Sequence, residues 1–184
     1  MEKRKKIMAI CGSTRINSTN HRLIKAIAEL SKDSFDIEIY NRIERLPQFN
    51  PDKDKENAPK EVLRFKQLLN GADGVIICTP EYAHGVPGSL KNAIDWTVGT
   101  GEFSNKPAML ITASTDGRYA HESLLETLRV IEAKNINHLQ LLISFASPKI
   151  STLNQVTDVK TLVEIKTLLE IFEQTVNENA IKAG

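Results

Sequence analysis

Cysteine is scarce in this chain: Cys11 and Cys78 are its only two. Two cysteines do not make the disulfide framework of a small secreted domain, and each ends an apolar, strand-like run. They read as reduced core residues of a cytoplasmic protein. Long apolar runs are missing as well; none approaches the roughly 20 residues of a membrane span. The basic run from Lys3 to Lys6 is followed by an apolar stretch that stops at Gly12, too short for the core of a signal peptide. Neither sign of charge dominates. A net charge of +1 gives no reason to expect nucleic acid, an anionic membrane or a strongly acidic partner. His21, His121 and His138 are scattered, and no metal-ligand spacing appears.

What the chain does contain is strand and helix in alternation. Its 184 residues, 41% hydrophobic and 26% charged, suit one soluble domain, residues 1–184, with an ample core. Ile7 to Cys11 reads as a strand buried on both faces. Leu23, Ile24, Ala26, Ile27 and Leu30 fall at helical spacing. Phe35 to Tyr40 reads as a second strand. Residues 41–58 form a long polar loop with Pro47 and Pro51, of a length that is usually functional or mobile. Val62, Phe65, Leu68 and Leu69 mark a second helix ending near Asn70-Gly71. Val75 to Cys78 is a third strand, and Leu90, Ala93, Ile94 and Val98 supply the buried face of a third helix. Pro107 to Ala113 and Leu139 to Phe145 are the fourth and fifth strands. Leu124, Leu125, Leu128 and Ile131 lie on a helix between them, and Leu162, Ile165, Leu168, Leu169 and Phe172 line a long final helix. Five strand–helix alternations, with no repeat and no linker, predict an α/β fold with a parallel sheet wrapped by helices.

The first loop, Gly12 to Asn20, enters a helix whose N-terminus offers free N–H groups and the positive end of its dipole. Ser13, Thr14, Ser18, Thr19 and Asn20 add short polar side chains, and Arg15 adds a charged fork suited to phosphate oxygens. Together they describe a cradle for a phosphate monoester. The same residues also fit a plain helix cap beside a solvated arginine. Other phosphate-handling patterns are absent. Ser13, Thr14 and Arg15 after Gly12 break the dinucleotide fingerprint G-x-G-x-x-G, and the Walker Lys-Ser/Thr pair is missing. Low-mass tyrosine phosphatases place a cysteine at the end of strand one and an arginine six residues on. Cys11 fits, but position 17 is Asn and the arginine comes early, at 15. A receiver domain needs an aspartate ending the third strand, where Cys78 and Thr79 stand.

The stretch from Thr79 to Trp96 organises the rest. A loop dense in Pro and Gly leaves the carboxyl end of the third strand, where ligands bind in open α/β sheets, and enters a helix. This stretch resembles the NADPH-dependent FMN reductase family of the flavodoxin-like superfamily, in which a common form is P-E-Y-N-x-S-x-P-G-x-L-K-N-A-I-D-W. Pro80, Glu81, Tyr82, Pro87, Gly88 and Leu90 through Trp96 match it. Ala83 and Gly85 stand where many members carry Asn and Ser, so backbone groups must do more of the flavin contact. The Gly12–Ser18 segment matches the family's G-S-x-R-x-x-S pattern, where the corresponding residues hold the FMN phosphate. Paired with this second block, phosphate binding is the favoured reading of the first loop.

The resemblance implies a flavodoxin-like three-layer sandwich: a five-stranded parallel sheet in the order 2-1-3-4-5 with helices on both faces. It implies FMN as cofactor and NADPH or NADH as donor. Two loops would serve the isoalloxazine: Pro80, Glu81, Tyr82, Ala83, His84 and Gly85, and then Ser114, Thr115 and Gly117. Backbone N–H groups of the first would approach the ring edge, and those of the second would form an anion nest. Family members usually carry a glycine-richer second loop. The Glu81 side chain is expected to turn away, because a carboxylate disfavours an anionic reduced ring. His84 and Arg118 can meet the pyridine nucleotide or sit as ordinary surface residues. Phe49 lies in Leu46-Pro47-Gln48-Phe49-Asn50, which resembles a family segment that leans over a neighbouring subunit's flavin; it can equally tuck into its own domain. Trp96 reads as packing or interface. The expected activity is NAD(P)H oxidoreduction through FMN to a quinone, azo, nitro or metal-oxyanion acceptor by a ping-pong mechanism, with hydride transfer at flavin N5 and no obligate catalytic side chain. A homodimer or homotetramer is expected. The alternative is a flavodoxin-like electron carrier, although such carriers are usually acidic.

Overall fold

The computed structural model describes residues 4–54 and 58–183. Residues 55–57 of the expected 41–58 loop, and Lys3 of the basic run, lie outside them. The chain runs β1 (Lys5–Cys11), α1 (Thr19–Leu30), β2 (Phe35–Tyr40), α2 (Lys60–Asn70), β3 (Gly74–Thr79), α3 (Gly88–Val98), β4 (Ala108–Ala113), α4 (Arg118–Val130), β5 (Gln140–Ile143) and α5 (Val159–Ala183). Every strand pairing is parallel and the sheet order is 2-1-3-4-5. This is the flavodoxin-like arrangement expected.

Alternate residues of each strand feed two separate cores. Met8, Ile10, Val75, Ile77, Ala108 and Leu110 pack under α2, α3 and α4. Ile7, Ala9, Cys11, Ile76, Cys78, Met109 and Ile111 pack under α1 and α5. Strands β3 and β4 are buried along their whole length, as continuous apolar runs covered on both faces should be.

Two departures from the sequence pattern have geometric causes. Val98 does not join the buried face of α3; it is 56% exposed. At about 100° per residue, the stripe through Leu90, Ala93 and Ile94 continues to Thr97, which is buried, and Val98 falls at its edge. Strand β5 stops at Ile143 rather than Phe145, because Phe145 turns into the left-handed region at φ 50.

The segment after β2 is tied down. It forms short turns at Ile43–Arg45 and Pro51–Lys53. Asn92 of α3 donates to Pro47 O at 3.0 Å and accepts from Phe49 N–H at 2.7 Å. Trp96 Nε1–H donates to Pro47 O at 2.8 Å, and the Phe49 ring meets Trp96 edge-on at 5.1 Å. Trp96 is 0% exposed within its own chain and needs no second subunit to cover it. Farther along, buried Lys66 pairs with buried Asp54 and donates to Thr100 Oγ1 at 2.8 Å.

Candidate functional site

Loops leave the carboxyl ends of β1, β3, β4 and β5, which the sheet order sets side by side at one edge of the molecule. This is the ligand-binding edge of an open α/β sheet.

The β1–α1 loop starts at Gly12, where no side chain fits. A Cβ there would collide with Thr79 Oγ1 and lie 2.9 Å from Leu90 Cδ2. Gly12 N–H donates to Cys78 O at 2.8 Å, pinning the loop to β3. Ser13 Oγ accepts from Arg15 N–H at 3.3 Å. Ser18 caps α1, its Oγ accepting from His21 N–H at 3.1 Å. Arg15 is exposed, and its guanidinium forms no ion pair among the described residues. Asn20 is buried and serves as a tie: its Nδ2 donates to Ala113 O at 2.9 Å and its Oδ1 accepts from Cys78 Sγ at 3.1 Å. Burial pushes the Cys78 thiol well up and the Cys11 thiol up, so both stay protonated.

The β3–α3 loop folds back as a two-residue hairpin. Tyr82 N–H donates to Gly85 O at 3.0 Å, and Gly85 N–H donates to Tyr82 O at 2.9 Å. Such a turn demands φ above zero at both central residues, and Ala83 (φ 49) and His84 (φ 58) supply it. For Ala83 the left-handed conformation costs roughly 1–2 kcal/mol. Glu81, Tyr82 and Gly85 therefore have their N–H groups engaged within the protein, Glu81 N–H through Ser114 Oγ at 3.2 Å. Ala83 and His84 keep N–H groups with no protein acceptor among the described residues.

Glu81 turns its side chain away from the loop's open side. Its carboxylate accepts from Ala120 N–H at 2.9 Å and from Gly117 N–H at 3.4 Å. It thereby caps α4 from another loop, and joins the β3–α3 loop to the β4–α4 loop. Gly117 stands at φ 93, where a Cβ would lie 2.9 Å from Leu142 Cδ1. With Gly117 N–H held by Glu81 and Ser114 N–H donating to Ile143 O at 3.2 Å, two groups of the expected anion nest are already engaged. Asp116 holds Arg118 at 2.9 and 3.1 Å, and this hydrogen-bonded guanidinium lowers the Asp116 pKa. The His84 ring stacks on Tyr119, centroids 4.2 Å apart.

These loops line a half-open cavity of about 380 Å³. Ser13, Arg15, Ser18, Thr19 and Asn20 form one wall, and Pro80 and Tyr82 a second. Ala113, Ser114 and Thr115 line it as well. Thr14, Glu81, Ala83, His84, Gly85 and Gly117 lie outside the lining. A further wall, Phe145, Ala146, Ser147 and Pro148 after β5, had no place in the sequence reading. Its one signal was position: a turn-rich segment at the carboxyl end of a strand. Phe145 N–H donates to Thr115 O at 2.9 Å and Ala146 N–H to Ser114 O at 3.0 Å, clamping this wall to the β4–α4 loop. The cavity thus joins a cationic, donor-rich end to a region edged by Tyr82 and Phe145.

The model of the NADPH-dependent FMN reductase family matches residues 5–148. An NAD(P)H-dependent FMN reductase of Pseudomonas aeruginosa is 32% identical over 161 residues, covering 84% of this chain and 86% of that protein. A 2-hydroxy-1,4-benzoquinone reductase of Burkholderia is 38% identical over 112 residues, 59% of this chain and 60% of that one. Among solved structures, the flavoenzyme NAD(P)H:(acceptor) oxidoreductase FerB of Paracoccus denitrificans superposes with a TM-score of 0.78 at 27% identity, over 95% of this chain and 98% of that one. The match spans most of the chain and includes the loops just described: this protein belongs to the NADPH-dependent FMN reductase family and is an oxidoreductase of that family.

Proposed function

We propose that the protein binds FMN, takes electrons from NADPH or NADH, and passes them to a small acceptor of the quinone, azo, nitro or metal-oxyanion class. The observation that carries this reading is the continuity of the cavity, from the Arg15–Ser18 donors to the Tyr82–Phe145 rim. Its volume, about 380 Å³, lies within the ~300–1,000 Å³ usual for small-ligand sites. One cationic fork and one helix N-terminus suit one phosphate, so FMN fits better than a dinucleotide.

When bound, FMN supplies a two-electron relay between nicotinamide and acceptor. The chain's part is positioning. Arg15, Ser13 and the capped start of α1 would hold the phosphate. Ala83 and His84 lie outside the cavity lining, so the hairpin they form would act by fixing Tyr82 at the cavity wall, and Glu81 would fix the spacing between the two ring-bearing loops while keeping its charge out of the cavity. No dinucleotide fingerprint occurs elsewhere in the chain, so nicotinamide and acceptor share the opening. Hydride transfer needs reacting atoms about 3–3.5 Å apart, and the two substrates cannot stack there together. The oxidised nucleotide leaves before the acceptor enters.

We further propose a cytoplasmic homodimer or homotetramer. Buried, protonated thiols suit a reducing compartment. Exposed Val98 and Val130 line one groove and offer apolar surface to a second copy.

Initial rates against NADPH at several fixed quinone concentrations should give parallel double-reciprocal lines. NADPH alone, without oxygen, should bleach the flavin absorption. A protein that takes up no FMN would overturn the assignment; intersecting lines without bleaching would overturn the shared opening.

A further inference from the structure

Phe145 stands out among the residues of the cavity. It is bulky, it lies in the left-handed region at φ 50, and it is 69% exposed. A bulky side chain at positive φ is an outlier, and such strain collects at functional sites where the surroundings enforce it. Nothing in the fold needs an aromatic ring here, because an exposed ring fills no core. The enforcement is nonetheless explicit. Phe145 N–H donates to Thr115 O at 2.9 Å, and the next N–H, of Ala146, to Ser114 O at 3.0 Å. Ser144 Oγ donates to Asp116 O at 2.8 Å from the other side. The backbone is thus fixed to the β4–α4 loop, and Phe145 lines the same cavity as the β1–α1 loop.

We propose that Phe145 is a flavin-recognition residue, whose ring packs against the isoalloxazine of bound FMN and covers it from the β5 side. This rests on the FMN reading above. The ring is planar and aromatic, and an aromatic side chain covers such a surface with little loss of conformational freedom. Phe145 contributes no donor or charge, so its contact is with the ring system that FMN and riboflavin share, and not with the phosphate.

Phe145→Asn tests the assignment, because Asn tolerates the left-handed region and removes the ring. Titrating apoprotein with FMN and with riboflavin, followed by flavin fluorescence, should show about ten-fold or greater weakening for both ligands. The melting temperature of the same apoprotein should stay at or above that of the unaltered chain, since strain has been relieved. Phe145→Tyr, which keeps ring and backbone, should bind both flavins within about three-fold of the unaltered protein. Unchanged flavin affinity in Phe145→Asn overturns the proposal, including the case where only the KM for the acceptor moves. A lower apoprotein melting temperature accompanying the affinity loss also overturns it, because the role would then be structural. Failure of the unaltered protein to bind any flavin would strike the FMN reading itself, which separates the two conclusions.

Discussion

Arg15→Ala removes from the β1–α1 loop a guanidinium that meets no carboxylate among the described residues. A charge-assisted hydrogen bond to a phosphate is worth about 1.5–3 kcal/mol, which is roughly a ten- to hundred-fold loss of FMN affinity. Riboflavin has no phosphate and should bind almost unchanged. Titration of both flavins checks this, and an equal loss for both would mean that Arg15 acts through folding. Phe145→Asn should weaken both, so the two substitutions together separate the phosphate end from the ring end. Residues with donor chemistry were legible in the sequence as a group: Ser13, Arg15, Ser18 and Asn20 were expected together by type and spacing, and all four line the cavity. Asn20 nevertheless spends an amide N–H and its oxygen on Ala113 and Cys78, partners separated from it by 93 and 58 positions, which no local pattern reveals. Phe145 was silent because an apolar residue after an apolar strand looks like more strand.

At the scale of elements, helix α4 starts without a side-chain cap of its own; its N-cap is Gly117, and its first turn holds no acidic residue. Glu81, from the β3–α3 loop, supplies the missing acceptor. A carboxylate at a helix N-terminus satisfies free N–H groups and opposes the dipole. Glu81→Ala should therefore cost about 0.5–2 kcal/mol, and each kcal/mol lowers the melting temperature of a chain this size by about 2–4 °C. Glu81→Gln, which still presents an oxygen, should lose less. Thermal melts of the apoproteins decide it, and a Glu81→Ala protein as stable as its parent would show that the cap contributes nothing. The strands and helices themselves were readable because burial on both faces of β1, β3 and β4 forces continuous apolar runs, while each covering helix shows one apolar stripe. Element ends were less readable. Val98 lies at the edge of its stripe and Ser144 leaves the sheet for Asp116 O, and both outcomes depend on neighbours distant in sequence.

For the molecule as a whole, the sheet must hold four loops in fixed relation while its outer edge at β5 has a strand of only four residues. His121 of α4 fastens that edge. It is buried, with Nδ1 2.9 Å from Thr112 Oγ1 on β4 and Nε2 2.8 Å from Gln140 Oε1 on β5. Gln140 Nε2 donates to Asn137 O at 3.1 Å, which leaves Oε1 to accept, so His121 Nε2 donates to it, and the Thr112 hydroxyl can serve Nδ1 as donor or acceptor. Burial lowers the His121 pKa, outweighing the Gln140 hydrogen bond and the nearby Glu122 charge, which raise it. The unfolded chain, with His121 near its ordinary value of about 6.5, binds the proton more readily than the folded one. Stability then rises with pH where the unfolded state holds more protons. The His121 contribution is complete above about pH 6.5 and is lost as pH falls toward the lowered folded value. Asp116 and Asp158 are also held below their ordinary values, by hydrogen bonds from Arg118 and Thr161 respectively. Their contributions fade only when pH approaches the usual carboxylate range near 4, well below the histidine window. Melting the apoprotein at pH 7.5 and 5.5 should show a lower midpoint at the acidic pH. In His121→Gln, which keeps a polar side chain without a titrating group, that difference should shrink. An identical pH dependence in both proteins would mean that the α4–β5 edge does not sense protons through His121.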